Sequence, residues 1–179
     1  HGYGVELNLA EARRYYEGVA AEYGRIRKLA ASAKGRPAVL VNGPFQGSWS
    51  VSGGRSYMAR FIEDAGGSYL WSDDGSTGGL TLSVEAVYAR ALEADVWLNP
   101  NLSAVAIGDL AALDPRFTAL PVVAAGKVWN NNLRMSPGGG NDYFESAILN
   151  PHEVLADLVE IFHPGLLPAH RFSYYRKLK

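Results

Sequence analysis

The sequence predicts an α/β protein: a three-layer α/β/α sandwich with a mainly parallel central sheet of about five strands and a long N-terminal helix. Short apolar runs of strand length alternate with segments of helical period along most of the chain. The run at 38–42 is apolar almost throughout, which is typical of a parallel strand buried on both faces. The N-terminal helical pattern stands apart, so we divide the chain into a helix at 1–35 and an α/β lobe at 36–179.

The long helix is predicted from about residue 9 to residue 33. Asn8 can cap it, and Glu11 three residues later completes a capping box. Apolar side chains recur at steps of three and four residues from Ala12 to Ala30, and charged side chains occupy the other face. The pattern ends near a Gly-Arg-Pro segment at 35–37.

The remaining elements follow in alternation. Strands are expected at 38–42, 68–71 and 95–99, around Val122 and Val128, and as a short strand or ordered tail at 172–175. Helices are expected at 57–65, after a cap at Ser83, at about 107–113, and from Asn150 onwards. Asn150 precedes Pro151 and Glu153, which predicts a capped helix start with proline at the first helical position.

Composition excludes several classes of function. The chain of 179 residues carries a net charge of −1, which gives no electrostatic reason to expect nucleic acid as a partner. It contains no cysteine, so disulfides, thiolate metal sites and cysteine nucleophiles are excluded. The four histidines show no metal-ligand spacing, and no apolar run reaches the length of a membrane helix. We therefore predict no metal site and no cofactor.

Local sequence patterns of catalysis are also missing. There is no G-x-S-x-G elbow, no phosphate-binding G-x-x-x-x-G-K-[ST] loop and no G-x-G-x-x-G dinucleotide fingerprint. Two alternatives to a binding protein stay open at this point. One is a small-molecule enzyme on a Rossmann-like α/β domain, with its site assembled only in space. The other is a free-standing interaction domain.

The stretch at 127–150 predicts a ligand loop. After the β-forming Val128 and Trp129, it loses all periodicity through three asparagines, Arg134 and a Pro-Gly-Gly-Gly run, before a helix starts near Asn141. A loop rich in amide and guanidinium donors that leads to a helix start beside aromatic rings suits a polar, partly aromatic small molecule. The alternative is a long solvated surface loop.

Other candidate ligand residues lie in loops that follow strands. Trp49 lies among small and polar residues and can stack on a ligand, or can instead cover the core edge. Arg55, at the start of the helix at 57–65, can hold an anion or pair with a local carboxylate. Asn101 follows the strand at 95–99, at the edge where ligands bind in open α/β sheets. The complete predicted ligand set is Trp49, Arg55, Asn101, Asn131, Arg134 and Tyr143.

Several segments together resemble one protein family. The segment LPVVAAGKVW at 120–129, followed by NDYFES at 141–146, resembles the C-terminal part of the substrate-binding proteins of ABC importers for iron-siderophores, haem and cobalamin. The tail from Asn150-Pro151 through His163-Pro164 to Leu178 resembles a branch found in Bacteroidetes-like bacteria. The resemblance runs through most of the chain.

This resemblance implies a function. The chain is expected to be the C-terminal lobe of a periplasmic substrate-binding protein that delivers a metal chelate to a membrane permease and makes no covalent change to it. The helix at 1–35 would be part of the long helix that joins the two lobes. The missing N-terminal lobe, a signal sequence and a lipid-anchored cysteine would lie upstream.

The resemblance also implies a role for Glu145. In these importers, a glutamate in the matching segment of each lobe docks onto arginines of the permease, and Glu145 is the matching residue here. A carboxylate in the first turn of a helix is favoured by the helix dipole and needs no internal partner. The alternative is that Glu145 serves only as such a first-turn charge.

Overall fold

The N-terminal helix is long and continuous. The computed structural model describes residues 9–179, so the predicted cap at Asn8 lies outside the described residues. Helix α1 runs over Leu9–Ala30 without a break. Its C-terminal half packs against the domain, with Ile26 and Ala30 buried, whereas Tyr15 and Tyr16 in the N-terminal half are 47% and 57% exposed.

The other elements form an α/β domain. The strands are β1 (Ala38–Val41), β2 (Pro44–Phe45), β3 (Ser48–Ser52), β4 (Ser68–Tyr69), β5 (Gly79–Ser83), β6 (Val96–Leu98), β7 (Val128–Asn130) and β8 (Arg176–Lys177). The remaining helices are α2 (Tyr57–Asp64), α3 (Val84–Ala91), α4 (Gly108–Leu113), α5 (Pro121–Ala124), α6 (Tyr143–Ser146) and α7 (Pro151–Phe162), with a 3₁₀ turn at Pro115–Ala119. Within residues 9–179, no helix combines the length and the apolar character that crossing a membrane requires.

The central sheet confirms the predicted fold class. Its five strands lie in the order β4-β1-β6-β7-β8. The first four are parallel, and β8 pairs antiparallel to β7 at the edge. Strands β1 and β6 are buried almost completely, because helices cover the sheet and exclude water from it. Helix α7 packs against α1 and α2.

A second, three-stranded antiparallel sheet was not predicted. It has the order β2-β3-β5, and β3 pairs with β5 along five residues. Strand β3 alternates buried and exposed side chains, with Trp49 and Val51 facing inwards. The sequence does not indicate strand β3 clearly, because Ser48, Ser50 and Ser52 on its outer face are not strong strand formers.

The prediction that Trp49 stacks on a ligand is wrong, because the side chain has no exposed surface. Its ring lies 5.6 Å from the ring of Trp97 and 5.4 Å from that of Phe117, measured between centroids. Its indole Nε1 donates a hydrogen bond of 3.1 Å to the carbonyl oxygen of Val41. Trp49 therefore fastens the small sheet to the end of β1.

Two local predictions also need correction. The segment around Val122 is helical rather than extended, because Pro121 occupies the first position of α5, where its fixed φ favours a helix. Helix α7 does begin at Pro151, but Asn150 makes no capping bond with its side chain. The Asn150 amide instead donates to the carbonyl oxygen of Ser146 and accepts from the hydroxyl of Tyr15.

The C-terminal tail is fastened by one buried carboxylate. Asp157 in α7 has no exposed surface and accepts hydrogen bonds from the backbone N–H groups of Ser173, Tyr174 and Tyr175, at 2.7–3.2 Å. Its Oδ1 also lies 2.6 Å from Nε2 of His170. The rings of Tyr174 and Tyr175 are consequently held inside the core.

Candidate ligand-binding site

Asparagines mark the carboxyl ends of three neighbouring parallel strands. Asn42 follows β1, Asn99 follows β6 and Asn130 ends β7. Asn42 and Asn99 have left-handed backbones, with φ of 62° and 58°, a conformation that asparagine tolerates better than most residues. Strands β1 and β6 therefore turn sharply where they end, and all three asparagines lie at the edge where ligands bind in open α/β sheets.

These turns enclose a cavity of about 640 Å³. Amides, small hydroxyls and apolar groups line it, and none of its lining side chains within residues 9–179 carries a formal charge at neutral pH. The lining residues are Asn42, Gly43, Pro44, Phe45, Ser50, Ser52, Met58, Asn99, Pro100, Asn101, Leu102, Ser103, Asn130, Asn131, Tyr143 and Phe144. Phe45, Leu102 and Phe144 are among the exposed hydrophobic residues, so they form an apolar rim.

Close backbone packing fixes two of the cavity loops. A Cβ atom on Gly43 would lie 1.8 Å from the carbonyl oxygen of Pro100, so only glycine allows the loops after β1 and β6 to touch. On the other side, Asn130 Nδ2 donates to the carbonyl oxygens of Asn101 and Ala104, at 2.6 and 2.8 Å. Asn132 Nδ2 adds a bond of 3.0 Å to the carbonyl oxygen of Ala104. These amides hold the 101–104 loop against the end of β7.

Two other amides of the cavity loops use little of their hydrogen-bonding capacity within the described residues. Asn99 Nδ2 lies 3.5 Å from the hydroxyl of Tyr175, while Asn99 Oδ1 is buried without a partner in the described part of the chain. Whichever way this amide is turned, one of its two polar atoms stays unpaired. Asn131 Oδ1 accepts a long bond of 3.4 Å from Asn141. Buried polar atoms of this kind are normally satisfied, so Asn99 indicates a position where a ligand or water binds.

Tyr143 lines the cavity, and two buried tyrosine rings support it from behind. The Tyr143 ring lies edge to face against the rings of Tyr174 and Tyr175, with centroids 5.8 and 6.0 Å apart. Burial raises the pKa of Tyr143 to about 12, and burial also raises the pKa of Tyr175 well above its usual value. Both phenols are therefore neutral and protonated at physiological pH.

The structure places the predicted ligand residues in different surroundings. Asn101, Asn131 and Tyr143 line the cavity together. Arg55 is exposed just outside it, between the lining residues Ser52 and Met58. Arg134 does not line the cavity: its Nε lies 3.0 Å from Asp142 Oδ2, and its guanidinium covers the Tyr174 ring. The prediction that Arg134 and Trp49 share one concave surface with the others is therefore wrong, since one is paired internally and the other is core.

Five lining asparagines or aromatic residues were missing from the predicted set. They are Asn42, Asn99, Asn130, Phe45 and Phe144. The pattern that could have identified the first three is an asparagine directly after, or at the end of, each apolar strand. Phe45 belongs to the unpredicted hairpin of β2 and β3, and no sequence pattern points to it.

A separate exposed surface surrounds Glu145 on α6. The Glu145 side chain is exposed and makes no ion pair or hydrogen bond within residues 9–179. Its neighbours Phe144 and Ile148 are 63% and 76% exposed, and Leu149 is also exposed. We call Phe144, Glu145, Ile148 and Leu149 the α6 surface. An unpaired carboxylate among exposed apolar side chains is typical of a surface that binds another protein.

Comparison with known proteins identifies the class. A family model described as periplasmic binding protein matches residues 4–130. This match covers more than half of the chain, and the chain therefore belongs to the periplasmic binding protein family. It is also 27% identical, over 170 residues, to an uncharacterized lipoprotein of Methanocaldococcus jannaschii, a match that spans 93% of this chain and 38% of that protein.

Solved structures show the same fold. An ABC transporter solute-binding protein from Sulfurospirillum deleyianum superposes with a TM-score of 0.66 at 15% identity, covering 89% of this chain and 47% of that one. The periplasmic haem-binding protein RhuT from Roseiflexus sp. RS-1 gives 0.63 at 22% identity, with 86% and 56% covered. An ABC-type Fe³⁺-hydroxamate transport protein from Saccharomonospora viridis gives 0.61 at 16% identity, with 85% and 49% covered.

The comparisons bear on the class and on the extent of the chain. The family is that of periplasmic binding proteins, and several of the matched structures are described as substrate-binding or solute-binding proteins of ABC transporters. The chain spans about half the length of the matched structures and 38% of the curated relative. Among residues 9–179, moreover, no group of three or more histidine, cysteine or acidic side chains could hold a metal ion.

Proposed function

We propose that this chain is the C-terminal lobe of the substrate-binding component of an ABC importer, and that it captures a metal chelate and hands it to a membrane permease. The observation that carries the proposal is the cavity where the loops after β1, β6 and β7 converge. Its amides offer directional hydrogen bonds, and its apolar rim can cover a flat or bulky ligand. An iron-siderophore, haem or cobalamin is the cargo class that we propose.

The two-lobe arrangement is supported by α1. At 22 residues and a rise of about 1.5 Å per residue, α1 extends for roughly 33 Å. Tyr15 and Tyr16 lie in its more exposed N-terminal half, where the Tyr15 hydroxyl donates to Asn150 while the rings stay about half exposed. We propose that residues 1–35 belong to a helix joining two lobes, and that 36–179 form the second lobe. The first lobe would then provide the other wall of the ligand cleft.

The α6 surface supplies the proposed contact with the permease. Glu145 matches the docking glutamate of the importers that this chain resembles. Within residues 9–179, its carboxylate forms no ion pair with a lysine or arginine. Asp142, one turn earlier, is already paired with Arg134. Glu145 is therefore available to an arginine of a partner, while Phe144 and Ile148 offer apolar area around it.

We propose a periplasmic location with a lipid anchor on a cysteine upstream of this chain. The family and the lipoprotein relative support this location. A tethered binding protein remains near its permease, which raises the effective concentration at which the two meet.

The proposal is tested with the full-length protein purified under native conditions. Native mass spectrometry should find a retained small-molecule chelate, and calorimetry on the stripped protein should show saturable binding of that chelate. Substituting Asn131→Leu should weaken binding, whereas Thr118→Leu, at an exposed position outside the cavity, should not. A full-length protein that binds no chelate, or that chemically converts the bound compound, would contradict the proposed function.

A further inference from the structure

The cavity wall supplied by this domain is electrically neutral. All sixteen lining residues lack a formal charge at pH 7, and Tyr143 stays protonated because burial raises its pKa to about 12. The amide and hydroxyl groups supply dipoles, and Phe45, Met58, Leu102 and Phe144 supply apolar area. A ligand bound here meets dipoles and apolar surface rather than an ion.

The nearby cations are not arranged to compensate a buried anion. Arg134 is already paired with Asp142 at 3.0 Å. Arg116, beside the adjoining depression that shares Phe45 and Asn101 with the cavity, is paired with Asp114 and Glu85. Arg55 makes no ion pair within residues 9–179, but it is exposed and does not line the cavity, so water and salt screen its charge. An anionic group entering the cavity would lose its hydration without gaining a counter-ion.

The unpaired amides favour a ligand with hydrogen-bonding groups of its own. Asn99 and Asn131 both line the cavity; within residues 9–179 the Asn99 oxygen is buried without a partner, and the Asn131 oxygen accepts one long bond. A ligand N–H, O–H or carbonyl group would satisfy them, and a site built to make such bonds rejects ligands that cannot make them. The cavity also offers no histidine, cysteine or carboxylate to coordinate a metal.

We infer that this cavity selects a charge-neutral chelate that carries its own amide or hydroxyl groups and whose metal is fully coordinated by the chelator. This inference rests on the proposed function and narrows its cargo class. Against this wall, chelates with several free carboxylates or a multiply negative metal centre are disfavoured, because the wall itself offers no charge to compensate for the burial of theirs. The neutral chelate places its polar groups on the asparagine amides and its apolar face against Phe45 and Phe144.

The test compares two sets of probes on the stripped full-length protein, by calorimetry at physiological salt. The uncharged probes are ferrichrome, ferrioxamine E and cyanocobalamin, and the anionic probes are ferric enterobactin, ferric citrate and haemin. We expect at least one uncharged probe to bind at least about tenfold more tightly than every anionic probe. An anionic probe that binds as tightly as the best uncharged one overturns this inference and leaves the proposed function intact. Binding of no probe at all counts against the proposed function, and the inference then falls with it.

Variants test the cause of the selectivity. Asn101→Lys adds a cation to the cavity and should improve binding of the anionic probes about tenfold, whereas the uncharged control Asn101→Gln should not. Arg55→Gln should change the affinity for the uncharged probe by less than about threefold, because an exposed charge contributes little. With the anionic probes, a loss of more than tenfold for Arg55→Gln from an affinity equal to that of the best uncharged probe would mean that this arginine holds an anionic ligand, and the inference would be wrong.

Discussion

Trp49 joins the small antiparallel sheet to the main core. Its ring packs on Trp97 and Phe117, and its N–H satisfies the last carbonyl group of β1. We expect Trp49→Ala to lower the free energy of unfolding by about 3–5 kcal/mol, because truncation leaves a large cavity. Urea denaturation followed by circular dichroism measures this change. Tyr57→Ala, at an exposed ring, is the matched control and should cost much less.

Glu145 gives a second prediction at the level of a single residue. Glu145→Arg in the full-length protein should leave chelate affinity nearly unchanged, because this side chain does not line the cavity. It should sharply weaken binding to the permease, since like charges would meet across the interface. Calorimetry and pull-down with the reconstituted permease measure the two effects. Glu93→Arg, at another exposed glutamate, is the control, and unchanged transport by the Glu145 variant would refute the docking role.

The sequence predicted those cavity residues whose location in the fold follows from their position in a loop. Asn101, Asn131 and Tyr143 lie in loops or at helix starts that follow parallel strands, so topology brings them together. It failed for Trp49, because burial depends on Trp97 and Phe117, which are distant in sequence. It failed for Arg134 because the pairing with Asp142 depends on how the glycine-rich loop folds back, and no local pattern encodes that.

At the level of elements, helix α7 holds the C-terminal tail in place through hydrogen bonds to Asp157. The carboxylate accepts bonds from three consecutive backbone N–H groups and lies beside His170. We expect Asp157→Ala to destabilise the domain by about 3–5 kcal/mol, because buried donors would lose their only acceptor. Hydrogen exchange should rise first in residues 172–178. Glu160→Ala serves as control, since that side chain accepts from the more exposed turn at Gly165 and Leu167.

Elements with a strong period were predicted well. Strand β1 and helix α7 are largely buried, and α1 buries Ile26 and Ala30 in its C-terminal half; the apolar spacing in the sequence indicated all three elements. The sheet of β2, β3 and β5 was missed because its outer residues are serine, threonine and glycine, which local propensity assigns to loops. Its stability comes from Trp49 and Val51 packing on the core, a tertiary effect that overrides propensity.

At the level of the whole molecule, buried tyrosines make the fold sensitive to alkali. Burial raises the pKa of Tyr23, Tyr69, Tyr143 and Tyr175. An unfolded tyrosine has a pKa of about 10, and each of these buried phenols has a higher pKa in the folded protein. Each phenol therefore contributes its full share to the free energy of unfolding below about pH 10. This share is lost as the pH rises through the folded pKa. For Tyr143 the folded value is about 12.

We therefore expect these phenols to cause no pH dependence of the free energy of unfolding near neutral pH. The free energy of unfolding should fall between about pH 10 and pH 12. Absorbance at the phenolate band should show one set of tyrosines ionising early, and a second set ionising only as circular dichroism reports unfolding. Tyr143→Phe should remove one late tyrosine from this titration. Ionisation of all tyrosines in a single early step would contradict the burial of these phenols.

The amide bonds that fix the 101–104 loop have a further consequence. Asn130 and Asn132 hold this loop in place, and the touching backbones at Gly43 and Pro100 brace the other side. A wall that is already in place has no slow rearrangement to complete when a ligand arrives. Related chelates should then associate with this wall at nearly the same rate and differ in how long they remain, so discrimination between cargoes is expressed in residence time.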